Sequence, residues 1–188
     1  GKYIAYVVRE QGSQSLWVKQ TAAASNVQII PAADVRYNGI SFSPDGVYLY
    51  YASAEKHGSP SVYQVPALGG TPPRKLLADA SGPITFSPDG SRIAFIRKET
   101  FLMTAKADGS DEQRIALAVD GRRWFYLAWA PDGENSTAIV FSAADSRDHL
   151  VEISTLDGSE KAFPSPEWLR LTGLAWLPDS SGLIVSGR

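Results

Sequence analysis

Apolar and polar residues alternate at period two along most of this chain, in short runs broken by proline, aspartate and glycine. "VYLYYAS" from Val47, "SRIAFIR" from Ser91, "TAIVFSA" from Thr137 and "GLIVSG" from Gly182 are such runs, rich in β-branched and aromatic residues. Alternation of this kind sends side chains to two opposite faces and predicts β-strands. Each run follows a turn phrase: "SFSPDG" (41–46), "TFSPDG" (85–90), "AWAPDG" (128–133) and "AWLPDS" (175–180). The turn aspartates Asp45, Asp89, Asp132 and Asp179 are 44, 43 and 47 residues apart, a period that suits a four-stranded antiparallel unit.

The chemistry of the phrase explains its recurrence. Proline at the second position of a turn (Pro44, Pro88, Pro131, Pro178) presets φ, the aspartate hydrogen-bonds nearby amides, and the glycine (Gly46, Gly90, Gly133) takes the positive φ that a side chain resists. Ser180 replaces that glycine in the fourth phrase and is expected to strain or reshape its turn. A ring of metal ligands is the alternative reading of the four aspartates. It is set aside, because one aspartate per unit has no second ligand beside it, and no metal or cofactor is expected.

Third strands follow in "SLWVKQ" (15–20), "SVYQVP" (61–66), "FLMTAK" (101–106) and "HLVEIS" (149–154), and fourth strands in "PRKLLA", "EQRIAL" and "EKAFPS". Between them stand Gly69-Gly70, Asp108-Gly109 and Asp157-Gly158, further turn signals. No stretch has a helical period. The fold class is therefore all-β: β-propeller repeats with about four four-stranded antiparallel blades. The alignment of "GKYIAYVV" with "GVYLYYAS" predicts one propeller segment over 1–188. It has an incomplete first blade at 1–31, blades at about 38–78, 82–118 and 124–164, and the start of another at 171–188. An open arc or a fragment of a larger propeller is expected, with open blade edges that a second copy could cover.

Charge and composition narrow the functions. Eighteen basic against twenty acidic residues favour neither a nucleic-acid backbone nor an anionic membrane. The longest apolar runs, such as Tyr3 to Val8, are far short of a membrane-spanning helix. No cysteine is present, which removes disulfides and thiolate metal sites.

The phrases "FSPDG" with "xxIxF" behind it, the "LWV" strand and the "DGS" turn resemble the TolB-like propeller repeat, a relative of WD-repeats with Pro-Asp-Gly where those use Trp-Asp. The resemblance covers essentially all 188 residues. The order "LWVKQ", "FSPDGVYLYY", "VYQVPALGGTPPRKL", "FSPDGSRIAF" is also similar to propeller segments at the C-terminal ends of bacterial receptor-type serine/threonine kinases and winged-helix regulators. This resemblance implies a sensing or docking module of a larger bacterial protein, at a periplasmic or extracytoplasmic address. Related propellers gate prolyl-oligopeptidase-type peptidases, which implies an accessory role beside a separate enzymatic domain as the alternative.

Catalytic signatures are not found. No G-x-S-x-G elbow, Walker or dinucleotide glycine motif, H-R-D or D-F-G occurs, so no catalytic residue is assigned and the chain is expected to be non-catalytic. His57 reads as solvated surface and His149 as a strand-end hydrogen-bonder. Asp111-Glu112 and the pair Asp145 and Asp148 read as solvated loop charge.

Topology then selects a binding face. In an up-and-down blade the tight Pro-Asp-Gly and Asp-Gly-Ser turns share one end, and longer, irregular loops share the other, where binding residues concentrate. "PAADVRYN" (31–38), "SAEKHGSP" (53–60), "VDGRRWFY" (119–126) and "SPEWLR" (165–170) fall on that end. Arginine with tryptophan is typical hot-spot chemistry, which nominates Arg122, Arg123, Trp124, Trp168 and Arg170, with Arg36, Tyr37 and His57 behind them. Packing between blades is the alternative for Trp124 and Trp168. Trp17, Trp129 and Trp176 are expected in the core. A protein, peptide or glycan partner is expected, with no nucleic acid and no direct membrane insertion.

Overall fold

The computed structural model describes residues 1–23, 25–131, 137–144, 147–164 and 170–187. It contains strands and turns and, among the described residues, no helix. The chain divides into two compact units, 1–83 and 84–188.

In the first unit, β1 (Tyr3–Glu10), β2 (Ser13–Gln20) and β3 (Asn26–Ala33) form one antiparallel sheet in chain order. A second, four-stranded sheet follows: β4 (Val35–Phe42), β5 (Tyr48–Glu55), β6 (Ser61–Pro66) and β7 (Arg74–Leu77). Its register sets Leu49 opposite Val65 and Tyr51 opposite Tyr63. Those side chains face Leu16 and Val18 of the first sheet, with Tyr3, Ala5 and Val7 packed around them. Tyr51 stacks on Tyr63 at 5.4 Å and meets Tyr37 edge-on at 5.5 Å. Aromatic contacts of this geometry add to the area they bury.

The second unit repeats the plan. β8 (Ala80–Phe86), in which the division falls, β9 (Arg92–Arg97), β10 (Phe101–Lys106) and β11 (Gln113–Leu117) make a third sheet. β12 (Arg123–Trp129), β13 (Thr137–Ala144), β14 (Arg147–Ser154) and β15 (Glu160–Ala162) make a fourth, and β16 (Leu171–Trp176) with β17 (Leu183–Gly187) a fifth. Ala94, Ile96 and Leu102 of the third sheet pack on Trp124, Leu127, Trp129, Val151 and Ile153 of the fourth. On the fourth sheet's other face, Leu150 meets Leu171, Leu174, Leu183 and Val185 of the fifth. The second strands of the four-stranded sheets are buried most deeply, having a strand on each edge: in β9, Ile93, Ala94, Phe95 and Ile96 are fully covered. Burying one such side chain stabilises by roughly 1.5–3 kcal/mol.

Three pairs of neighbouring sheets, each within one unit, share a backbone donor in the same repeat position. Tyr37, Trp124 and Leu171 each stand five residues before the turn aromatics Phe42, Trp129 and Trp176. The Tyr37 N–H donates to Gln14 Oε1 at 3.0 Å, the Trp124 N–H to the Glu99 carbonyl at 2.7 Å, and the Leu171 N–H to Asp148 Oδ2 at 2.6 Å. Gln14 and Asp148 are themselves equivalent, each two residues before a buried third-strand leucine (Leu16, Leu150). At the middle junction a carbonyl does the same work. Lys98 and Glu99, with φ of 51° and 58°, form a left-handed turn that presents it.

Gly39 marks another close approach, since a Cβ there would run into the backbone of Gly82 and Pro83. Three expectations change. The stretch 31–38 is strand on both sides of a single link residue, Asp34, because its backbone groups find ladder partners and the Gln14 amide. Trp129 is core, but Trp17 and Trp176 are only half-buried. Asp148 is 5% exposed, so it is a buried acceptor and not solvated charge. The Asp145 of the same reading lies outside the described residues.

Candidate functional site

Each sheet has two unlike ends. At one, Ala67 N–H donates to the Val47 carbonyl at 2.8 Å and Ala107 N–H to the Ser91 carbonyl at 2.9 Å, which sets the two tight turns of a blade side by side. Polar groups at this end are consumed internally. Ser43 Oγ donates to Asp45 Oδ1 at 2.5 Å while accepting the Tyr48 N–H at 2.9 Å, and Asp45 also accepts the Val47 N–H. Ser87 and Asp89 repeat this around Arg92, and Asp89 additionally accepts both the N–H and the hydroxyl of Ser91.

These donors hold the Asp89 carboxyl down at about 2, with Ser87 the largest cause and Ser91 next. Asp45 is lowered chiefly by Ser43, and Asp179 by Ser181. Pro44, Pro88 and Pro178 stand at the expected turn position, and so does Pro131, whereas Asp132 and Gly133 lie outside the described residues. Among the described residues no group of three potential ligands could hold a metal. Asp111 and Glu112 are engaged as well: Arg92 pairs with Asp111 at 3.2 Å and Arg97 grips both oxygens of Glu112.

The opposite end is built from the links between blades and the turns between second and third strands. In the first unit, the link Ala33 to Val35 and the turn Glu55 to Gly58 enclose an open depression of about 550 Å³. Asp34, Glu55, Lys56 and His57 line it and are exposed, as is Arg36 beside them. Among the described residues, no hydrogen bond or ion pair engages any of these five side chains. Asp34, Glu55 and Lys56 were not singled out from sequence; their signal was that opposite charges flank the same two connections.

The nominated arginines divide differently. Arg122 is held by Glu160 at 3.0 Å and by the Val119 carbonyl, and Arg123 pairs with Glu99 at 2.9 Å while remaining well exposed. Arg170 is exposed. Trp124 is corrected: it is fully buried in the core of the second unit and cannot touch a partner. Tyr37 is half-buried, and burial pushes its hydroxyl up to about 12. Both occupy the junction position, which explains their withdrawal from the surface. Trp168 lies outside the described residues.

Stacked, four-stranded antiparallel meanders recurring at this period are β-propeller blades. Comparison with solved structures gives the same fold. The chain is similar to TolB from Acinetobacter baumannii, with a TM-score of 0.78 at 18% identity over 100% of this chain. A chain of a nidogen/laminin complex matches at 0.72 with 13% identity, over 97% of this chain and 70% of that one. A chain assigned as a dipeptidyl aminopeptidase IV from Bacteroides ovatus matches at 0.64 with 12% identity, over 92% of this chain and 29% of that one. The TolB-like resemblance read from the turn phrases is thus present in three dimensions. The chain spans 47% of the TolB structure's length. No protein-family model and no curated protein matches the sequence.

Proposed function

We propose that this chain is a non-catalytic interaction module, a set of propeller blades that binds a protein, peptide or glycan partner through the irregular end. The observation that carries this reading is the contrast between the two ends. Turn aspartates and serines are tied to one another, whereas Asp34, Glu55, Lys56 and His57 line a hollow, with Arg36 beside it, and their side chains have no internal partner. Uncommitted, solvated groups on connections held by a rigid sheet are what a recognition surface requires. Arg123, exposed although paired with Glu99, and Arg170 are the exposed nominated cations of the second unit, and Trp168, two residues before Arg170 in the sequence, stays a candidate. A pull-down from cell extract tests it. The triple variant Arg36→Glu, Lys56→Glu, His57→Ala is expected to lose partners that the wild type captures, and unchanged capture of every partner removes this face.

A second reading, an accessory propeller regulating a separate serine/threonine kinase or prolyl-oligopeptidase-type peptidase domain, draws support from one comparison. The fold here corresponds to 29% of a longer chain assigned as a dipeptidyl aminopeptidase IV. A catalytic domain encoded in the same gene, whose turnover changes when these blades are removed, is the expected finding under that reading.

A further inference from the structure

β4 and β5 do not pair evenly. Tyr37 stands opposite Ser53 and Gly39 opposite Ala52, so Asn38 is the extra residue of a β-bulge, with no residue facing it across the ladder. Its side chain is exposed, and among the described residues no hydrogen bond engages the side-chain amide. Gly39 behind it is fixed by packing, since the backbone of Gly82 and Pro83 occupies the place of a Cβ. The fold thus requires glycine at 39, and the sequence sets an uncommitted asparagine directly before it.

The fifth sheet uses the same device with other chemistry. Gly173, like Gly39 three residues before a turn aromatic, stands at a register shift, and a Cβ on it would crowd the Ser186 hydroxyl. The residue before it is Thr172, whose hydroxyl is in hydrogen-bond contact with Ser186. A bulge followed by glycine is therefore architectural, whereas the amide inside it belongs to the second sheet. Asn26 offers the contrast within the same unit: it is exposed too, but Val27 follows it, and a β-branched side chain crowds its own backbone nitrogen.

We propose that Asn38 is a site of spontaneous deamidation and isoaspartate formation, and that the change loosens β4. The Gly39 backbone nitrogen attacks Asn38 Cγ, with no side chain standing over it. The N–Cγ bond forms, the Cγ–Nδ2 bond breaks, and ammonia leaves with the proton given up by the Gly39 nitrogen. Water then opens the five-membered imide. Addition at Cγ leaves aspartate; addition at the main-chain carbonyl carbon of residue 38 leaves isoaspartate, whose chain runs through Cβ and Cγ and is one atom longer. That extra atom enters β4 next to the glycine that has no room for a Cβ. Either product also adds a negative charge two residues from Arg36. The reaction needs no reagent besides water and stands apart from the partner reading at the irregular end.

The test ages the folded protein at mildly alkaline pH and follows it by tryptic digestion and mass spectrometry. Cleavage after Arg36 and Lys56 isolates Asn38 from Asn26. The mass gain of an amide turned to an acid is expected at residue 38, at least about tenfold faster than at Asn26. Two chromatographic products are expected, one of them accepting a methyl group from an isoaspartyl methyltransferase. Asn38→Gln, whose ring closure would need six members, is expected to stay unmodified. Aged wild type should unfold at lower urea than fresh protein, while aged Asn38→Gln keeps its midpoint. A rate at Asn38 no faster than at Asn26, or a gain that appears only after unfolding in urea, overturns the site. An equal midpoint for fresh and fully modified protein overturns the loosening of β4.

Discussion

The turn from Ser87 to Arg92 and the turn from Leu177 to Gly182 have the same backbone and different chemistry. In both, the first residue's N–H reaches the carbonyl five residues on, and the fourth residue's N–H returns to the first carbonyl: 2.9 and 2.8 Å in one, 2.8 and 3.0 Å in the other. The third-sheet turn fills this frame with Ser87 as acceptor and Gly90 at φ 71°; the fifth-sheet turn has Leu177, with no hydroxyl, and Ser180 at φ 60°. The expectation that Ser180 would strain or reshape its turn resolves to strain without reshaping. The strand pair on either side dictates the path of the turn, and the side chains only decide what that path costs.

The contrast can be broken most strongly from the well-capped side. Ser87→Leu, which installs the fifth-sheet residue, is expected to lower stability by about 2 kcal/mol, since it withdraws a buried acceptor from the Arg92 N–H and a donor from Asp89. Urea unfolding reads this, and an unchanged midpoint would mean that the hydroxyl is dispensable. Working from the strained side, Ser180→Gly is expected to stabilise by about 1 kcal/mol, the approximate cost of a side chain in the left-handed region. No gain in thermal midpoint would place the relief elsewhere.

The smallest effect is on pH. A carboxyl held below its ordinary value contributes stability that is present above the unfolded value and disappears as pH falls through the folded one. For Asp89 that window runs from the ordinary 3.8 down to about 2. The acid limb of stability should therefore be steeper in wild type than in Asp89→Asn. The same substitution at Asp179, which Ser181 chiefly holds down, should flatten it less; equal slopes for both would remove the distinction.

The architecture was legible because turn punctuation is chemically strict. Pro-Asp-Gly recurs at one spacing, and the alternating runs behind it leave little choice but strands. Site chemistry was less legible. Trp124, following two arginines, has the local composition of a hot spot, and only its register, shared with Tyr37 and Leu171, reveals a junction residue. The stretch 31–38 lacks a clean apolar alternation, because one side of it is satisfied by an amide from Gln14, a partner 23 residues away. Lys56 and Asp34 carried no motif at all, since an unpaired charge acquires meaning only from the hollow around it.

The junction donors have a kinetic corollary. Gln14 to Tyr37 and Asp148 to Leu171 each span 23 residues, about half a repeat, so at these two junctions one blade is fastened to the next by a loop that closes soon after it is made. Low contact order of this kind favours rapid assembly. Within each unit, one blade can thus close on its neighbour without waiting for distant parts of the chain.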